Sequence, residues 1–101
     1  MKSALANRLP PTGEIARFCR RYHIRRLALF GSVLREDFEP ESDVDVLVDF
    51  ESGYTPGFGF FDLQAELSEI LGRRVDLNTR GFLSPRIRRR VESEAEVVFG
   101  A

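Results

Sequence analysis

The stretch DVDVLVDF, residues 43–50, narrows the folding choices more than any other part of the chain. Val44, Val46 and Val48 recur at every second position, the period of a strand with one face in a core. The opposite parity carries Asp43, Asp45 and Asp49. Aspartate is depleted in strands, and like charges crowded on one side of a sheet repel. Two carboxylates about 4 Å apart cost ~1 kcal/mol in water and ~4 kcal/mol at an effective dielectric near 20. A fold accepts that crowding more readily when a cation or a proton sits between the groups.

The rest of the chain supplies partners for such a strand. Residues 1–11 read as a flexible N-terminal arm closed by Pro10-Pro11, and residues 12–101 as one domain. From Thr12, the residues Ile15, Phe18, Cys19 and Tyr22 repeat at helical spacing, which puts Cys19 in the core. RRLALF, residues 25–30, predicts a first strand broken by Gly31-Ser32, and a polar connection runs from Arg35 to Ser42. After the carboxylate strand comes ESGYTPG, a loop punctuated by Gly and Pro. Leu63, Leu67, Ile70 and Leu71 predict a helix from about Phe60 to Leu71, stopped by Gly72. RRVDLNT, residues 73–79, predicts a third strand. Ser84-Pro85 opens a last helix that should bury Ile87 and Val91, and EVVF, residues 96–99, a last edge strand. The expected fold class is α+β, a small mixed β-sheet with helices packed against it.

Composition limits what this domain can do. Its formal net charge is −1, so nothing pulls the whole surface toward nucleic acid or an anionic membrane. One cysteine precludes an internal disulfide and fits a reducing cytoplasm. No apolar run approaches the ~18 residues of a membrane span, and the N-terminal apolar stretch is short for a signal peptide.

Strand alternation puts Asp43 and Asp45 on one face, about 6.6 Å apart, where both can reach one cation or two cations sharing a ligand. Asp49 lies roughly 13 Å beyond Asp45 and is expected to end the strand in solvent. Asp76, between Val75 and Leu77, can join the pair if its strand adjoins in register. An all-oxygen cluster with open positions suits magnesium, which keeps waters and accepts substrate phosphates. A structural zinc site does not fit a chain with one His and one Cys. An EF-hand begun at Asp43 would place Val48 and Tyr54 where Gly and Glu are required. Gly31-Ser32, at the end of the first strand, lets backbone approach a phosphate and offers a hydroxyl, with Arg35 three residues on.

Gly31-Ser32, then Ser42-Asp43-Val44-Asp45, then Asp76 resembles the signature of the polymerase-beta-type nucleotidyltransferase superfamily. The spacing and small size are closest to its minimal nucleotidyltransferase (MNT) branch. The resemblance implies that Gly31, Ser32 and Arg35 hold the triphosphate of ATP, and that Asp43, Asp45 and Asp76 are both catalytic and ligands to two Mg2+ ions. Asp76 would be the base toward the acceptor hydroxyl. Glu36 departs from the pattern, since many relatives have Gly after the arginine. The branch is typically paired with a HEPN-domain protein. The resemblance therefore implies a cytoplasmic antitoxin that transfers AMP to a tyrosine hydroxyl of a HEPN ribonuclease toxin, an acceptor carried on another chain. A different class of function stands beside it: a non-catalytic module that neutralises the toxin by contact alone. Nucleotidylation of RNA or of a small molecule would need an acceptor pocket that the sequence does not reveal.

Other features have plainer readings. Of Phe58, Phe60 and Phe61, at least one is expected in the core, with base stacking or partner contact open to the others. Arg73, Arg74, Arg80, Arg86, Arg88, Arg89 and Arg90 form either a solvated face or a patch that steers an anionic partner. Direct nucleic-acid binding is not expected, because no aromatics interleave with these arginines. His23 is expected near helix C-terminal carbonyls rather than as a base.

Overall fold

The computed structural model describes residues 12–34, 43–54 and 59–100. Helix α1 (Thr12–Arg21) leads into strand β1 (Ile24–Phe30), a short 3-10 turn (Gly31–Leu34) and strand β2 (Val44–Phe50). Helix α2 (Phe60–Leu71), strand β3 (Val75–Asn78), a second 3-10 turn (Arg80–Phe82), helix α3 (Pro85–Glu94) and strand β4 (Glu96–Phe99) follow. The expected arm, residues 1–11, lies outside the described residues. So do Arg35, Glu36 and Phe58.

The strands form one sheet in the order β3-β2-β1-β4. β1 runs antiparallel to both β2 and β4, while β2 and β3 are parallel, so the sheet is mixed as expected. One face carries Leu27, Leu29, Val44, Val46, Val48, Val75 and Leu77, packed with Ile15, Phe18, Cys19, Leu63 and Leu67 into a single core. These helical residues recur at the i, i+3, i+4 spacing that turns one stripe of α1 and α2 to the sheet. Burial pushes the Cys19 thiol up to about 12, so it is a packing residue rather than a reactive one. The other parity of the strands faces away, where Ala28 and Leu47 are buried on the opposite side of the sheet, and Val91 is the buried residue of α3.

The ends of the elements follow local chemistry. His23, at φ 57°, takes the left-handed conformation that turns the chain out of α1, and its amide donates to Arg20 O at 3.4 Å. Gly72, at φ 68°, ends α2 with amide bonds from Gly72 to Glu69 O and from Arg73 to Ser68 O. That cap absorbs Arg73, so β3 begins at Val75 and is shorter than the expected 73–79. Ser84 caps α3 by accepting from the Ile87 amide at 3.4 Å, with Pro85 in the first turn.

Ile87 corrects an expectation. It is 50% exposed rather than buried, because it lines an open cleft together with Phe30 and Gly31 instead of packing into the core. Phe60 is buried and its neighbour Phe61 is exposed, which gives the phenylalanine cluster one core member among the described residues. No helix among the described residues is long and apolar enough to cross a membrane.

Candidate active site

The antiparallel pairing of β1 with β2 brings the C-terminal end of β1 beside the N-terminal end of β2, and the parallel pairing adds the start of β3. Phe30 pairs with Asp45, and Asp45 with Asp76. The register left open by the sequence therefore places Asp76 directly beside Asp45, on neighbouring strands about 4.8 Å apart. Asp43, Asp45 and Asp76 share this edge, on the face opposite the α1–α2 core, close enough for the charges of Asp76 and Asp43 to act on Asp45.

Asp45 is half-buried, whereas Asp43 and Asp76 are exposed. Burial first, then the charges of Asp76 and Asp43, raise the Asp45 pKa above the ordinary carboxylate range. Among the described residues no cation offsets its negative charge. Asp43 has a partner in Arg74, whose Nε lies 2.8 Å from Asp43 Oδ1. Among the described residues no three His, Cys, Asp or Glu side chains are drawn together closely enough to hold an ion by themselves. The site is an open carboxylate edge rather than a closed cage.

Gly31 supplies the close approach. It has φ 77°, and a Cβ built on it would run into the Asp45 carboxylate. The turn thus lies directly against Asp45 with no side chain between. Ser32 follows within this 3-10 turn. Its side chain and Arg35 lie outside what is described.

Two residues that the sequence reading passed over fix Asp76. Gln64 Oε1 accepts from the Leu77 amide at 2.9 Å, and Ser68 Oγ accepts from the Val75 amide at 3.0 Å. These bonds hang both neighbours of Asp76 on α2 and close the outer edge of β3 to further pairing. The available signal was polar residues at i and i+4 flanking Leu63 and Leu67 on an otherwise apolar helix side.

Asp49 is a second correction. It does not end the strand in solvent; its side chain is 13% exposed. Its Oδ2 lies 3.2 Å from Arg26 Nε, 3.4 Å from Arg80 Nη2 and 3.9 Å from Arg25 Nη2. Arg26 is its register neighbour across β1, and Arg80 arrives from the second 3-10 turn while also holding Glu92 at 2.8 Å. Among the described residues neither Arg26 Nε nor Arg80 Nε has a hydrogen-bond acceptor, so the contacts of these two atoms with Asp49 and Glu92 are ionic. Asp49 is structural.

The arginine-rich segment is mostly spoken for. Arg74 serves Asp43, Arg80 serves Asp49 and Glu92, and Arg90 pairs with Glu94. Arg88 donates to Arg80 O and Leu83 O, bracing the turn before α3. His23 opens β1 at the far end of the sheet, stacked on Tyr54 at 3.7 Å, with Nδ1 3.6 Å from Glu51. Tyr22 packs beside the core and donates to Glu66 Oε1 at 2.5 Å.

Residues 13–98 match the nucleotidyltransferase domain family. The chain belongs to that family. Among related proteins, the protein adenylyltransferase MntA of Thermococcus cleftensis is 38% identical over 79 residues, covering 77% of this nucleotidyltransferase and 78% of the relative. A Methanocaldococcus jannaschii protein named as a candidate protein adenylyltransferase (MJ0128) is 37% identical over 76 residues, 73% of this chain and 76% of that one. A solved structure named as a candidate minimal nucleotidyltransferase superposes with TM-score 0.70 at 36% identity, covering 84% of this chain and 86% of its own. A toxin–antitoxin structure with AMP-PNP shares the fold at TM-score 0.73 and 20% identity, covering 91% of this nucleotidyltransferase and 75% of that chain. So does a complex of tri-AMPylated Shewanella oneidensis HEPN toxin with its MNT antitoxin, at TM-score 0.64 and 21% identity, with coverage of 89% and 70%.

Proposed function

We propose that this nucleotidyltransferase transfers AMP from ATP to a tyrosine hydroxyl of a partner HEPN ribonuclease toxin and so acts as its antitoxin in the cytoplasm. The observation that carries the reading is the in-register pairing of Asp45 with Asp76 beside a glycine pressed against Asp45. The names of the adenylyltransferase relatives and of the MNT–HEPN fold neighbours support the choice of donor and acceptor.

Asp43, Asp45 and Asp76 are the residues to hold Mg2+. Their donor set fits: hard carboxylate oxygens, two of them exposed, around a charge that no cation among the described residues offsets. When bound, two such ions neutralise phosphate charge and stabilise the attacking and leaving oxygens of an in-line displacement. In this reading the backbone amides of Gly31 and Ser32 receive the triphosphate, with Arg35 following them in sequence. In this reading Asp76, on the β3 side, takes the proton of the tyrosine hydroxyl as that oxygen bonds to the α-phosphorus. The bond from the α-phosphorus to the bridging oxygen breaks, and pyrophosphate leaves. Positioning and charge neutralisation are most of what phosphoryl-type transfer asks of a protein, which suits so small a domain.

The test uses ATP labelled at the α-phosphate, Mg2+ and the HEPN partner. Label is expected on the partner with the unaltered chain and not with Asp43→Asn/Asp45→Asn, while the double variant still co-purifies with the partner. Labelling that survives the double variant overturns the reading. Full neutralisation by the unlabelling variant favours a module that acts by contact alone.

A further inference from the structure

We propose that the cleft between Gly31 and α3 receives the β- and γ-phosphates of the donor nucleotide, and then the released pyrophosphate, with Arg90 as the cation that holds them. This rests on the nucleotidyl-transfer reading and adds a binding residue on an element that contributes none of the carboxylates.

The argument begins with the order of strands. Across the site, Asp76 of β3, Asp45 of β2 and Gly31 at the end of β1 lie side by side. An in-line displacement places the attacking and leaving oxygens on opposite sides of the phosphorus. With the acceptor at Asp76 and the α-phosphate near Asp45, the leaving group points toward Gly31 and what lies past it. There the structure holds a cleft of about 250 Å³ lined by Phe30, Gly31, Ile87, Arg90, Val91 and Glu94.

Among the described residues lining that cleft, Arg90 is the one cation. Its guanidinium is pre-shaped for bidentate contact with phosphate. Phe30, Ile87 and Val91 form apolar walls that lower the local dielectric and strengthen an Arg–phosphate contact. This also gives the half-exposed Ile87 a use as the rim of the cleft. Glu94 is the opposing group: it faces the same space and accepts from Arg90 Nε at 3.2 Å. An exposed i,i+4 pair of this kind is weak and screened, so an incoming polyphosphate displaces Glu94 readily.

The test is calorimetric titration of the full chain with ATP, pyrophosphate and AMP in the presence of Mg2+. Arg90→Ala should weaken ATP and pyrophosphate about tenfold, the loss of one charge-assisted contact, and leave AMP within about twofold. Arg90→Lys should fall between, and Glu94→Gln should tighten ATP and pyrophosphate about threefold by removing both the competitor and a like charge. ATP binding unchanged in Arg90→Ala overturns this inference alone. Equal weakening of AMP and ATP also overturns it, by placing the nucleoside rather than the phosphates in the cleft. An unaltered chain that binds none of the three ligands overturns the transfer reading as well.

Discussion

Gly31→Ala is the sharpest probe of how the turn and the carboxylates depend on each other. Two separate effects are expected. At φ 77° an alanine occupies a left-handed conformation, which costs an L-residue ~1–2 kcal/mol whatever surrounds it. In a domain of this size that lowers the unfolding midpoint by roughly 4–8 °C per kcal/mol. The second effect is local: the new methyl meets the Asp45 carboxylate, so that side chain must move. Displacing a reacting group by about 1 Å costs ~100-fold in rate. Gly53→Ala separates the two, because Gly53 has φ 86° and a Cβ there meets nothing within 4 Å. Both variants should melt early by similar amounts when followed by circular dichroism. At a temperature where all are folded, Gly31→Ala should transfer label from α-labelled ATP about 100-fold more slowly, and Gly53→Ala at the rate of the unaltered enzyme. Equal rates in the two variants would refute the claim that Gly31 positions Asp45.

Asp45→Asn should raise stability at pH 7 in chelator-containing buffer while abolishing transfer. Its folded pKa lies above the unfolded value, so the native state is penalised as pH rises through the ordinary carboxylate range toward that raised value; midpoints of variant and parent should converge below about pH 3.5. Asp49→Asn should destabilise by about 2 kcal/mol in urea titration, since Arg26 and Arg80 lose a shared counter-charge in a mostly buried setting, with exposed Arg25 adding little. Gln64→Leu leaves the Leu77 amide without its acceptor, costing about 1–2 kcal/mol. It should lower kcat several-fold with little change in the KM for ATP, because it loosens Asp76 and not the triphosphate side.

Much of the fold was legible because it rests on short-range signals. The stripes of α1 and α2, the valine alternation of β2, the Gly72 stop and the Ser84-Pro85 start are each set within a few residues. What escaped the sequence depends on tertiary neighbours. Ile87 has the spacing of a core residue, yet it stands half exposed at the rim of an open cleft. Asp49 has the look of a strand-end carboxylate until Arg80 is brought over it from a turn thirty-one positions on. Gln64 and Ser68 read as ordinary helix surface, and only the adjoining edge of β3 gives them a task. For the site, residue types and spacing pointed to Asp43, Asp45 and Asp76, while the pairing of Asp45 with Asp76 depends on a register that no pattern of hydrophobicity encodes.

Asp45 and Asp49 share a strand, a face and a side chain, and the fold treats them in opposite ways. Around Asp49 it gathers Arg25, Arg26 and Arg80. Around Asp45 the charged neighbours among the described residues that act on it are two more acids. Nothing in the backbone forces this difference, because Arg74 reaches the site and yet sits on the exposed Asp43. A compensated carboxylate ties the sheet to the turn before α3; a carboxylate crowded by other acids subtracts from the stability of the fold. That deficit links stability to ligand. Anything cationic that binds only the folded site adds RT ln(1 + [L]/Kd), about 2.7 kcal/mol at a hundred times Kd. For a domain with a modest core, that is a large fraction of its total stability, so the repulsion at Asp45 makes occupancy of the site and persistence of the fold rise together.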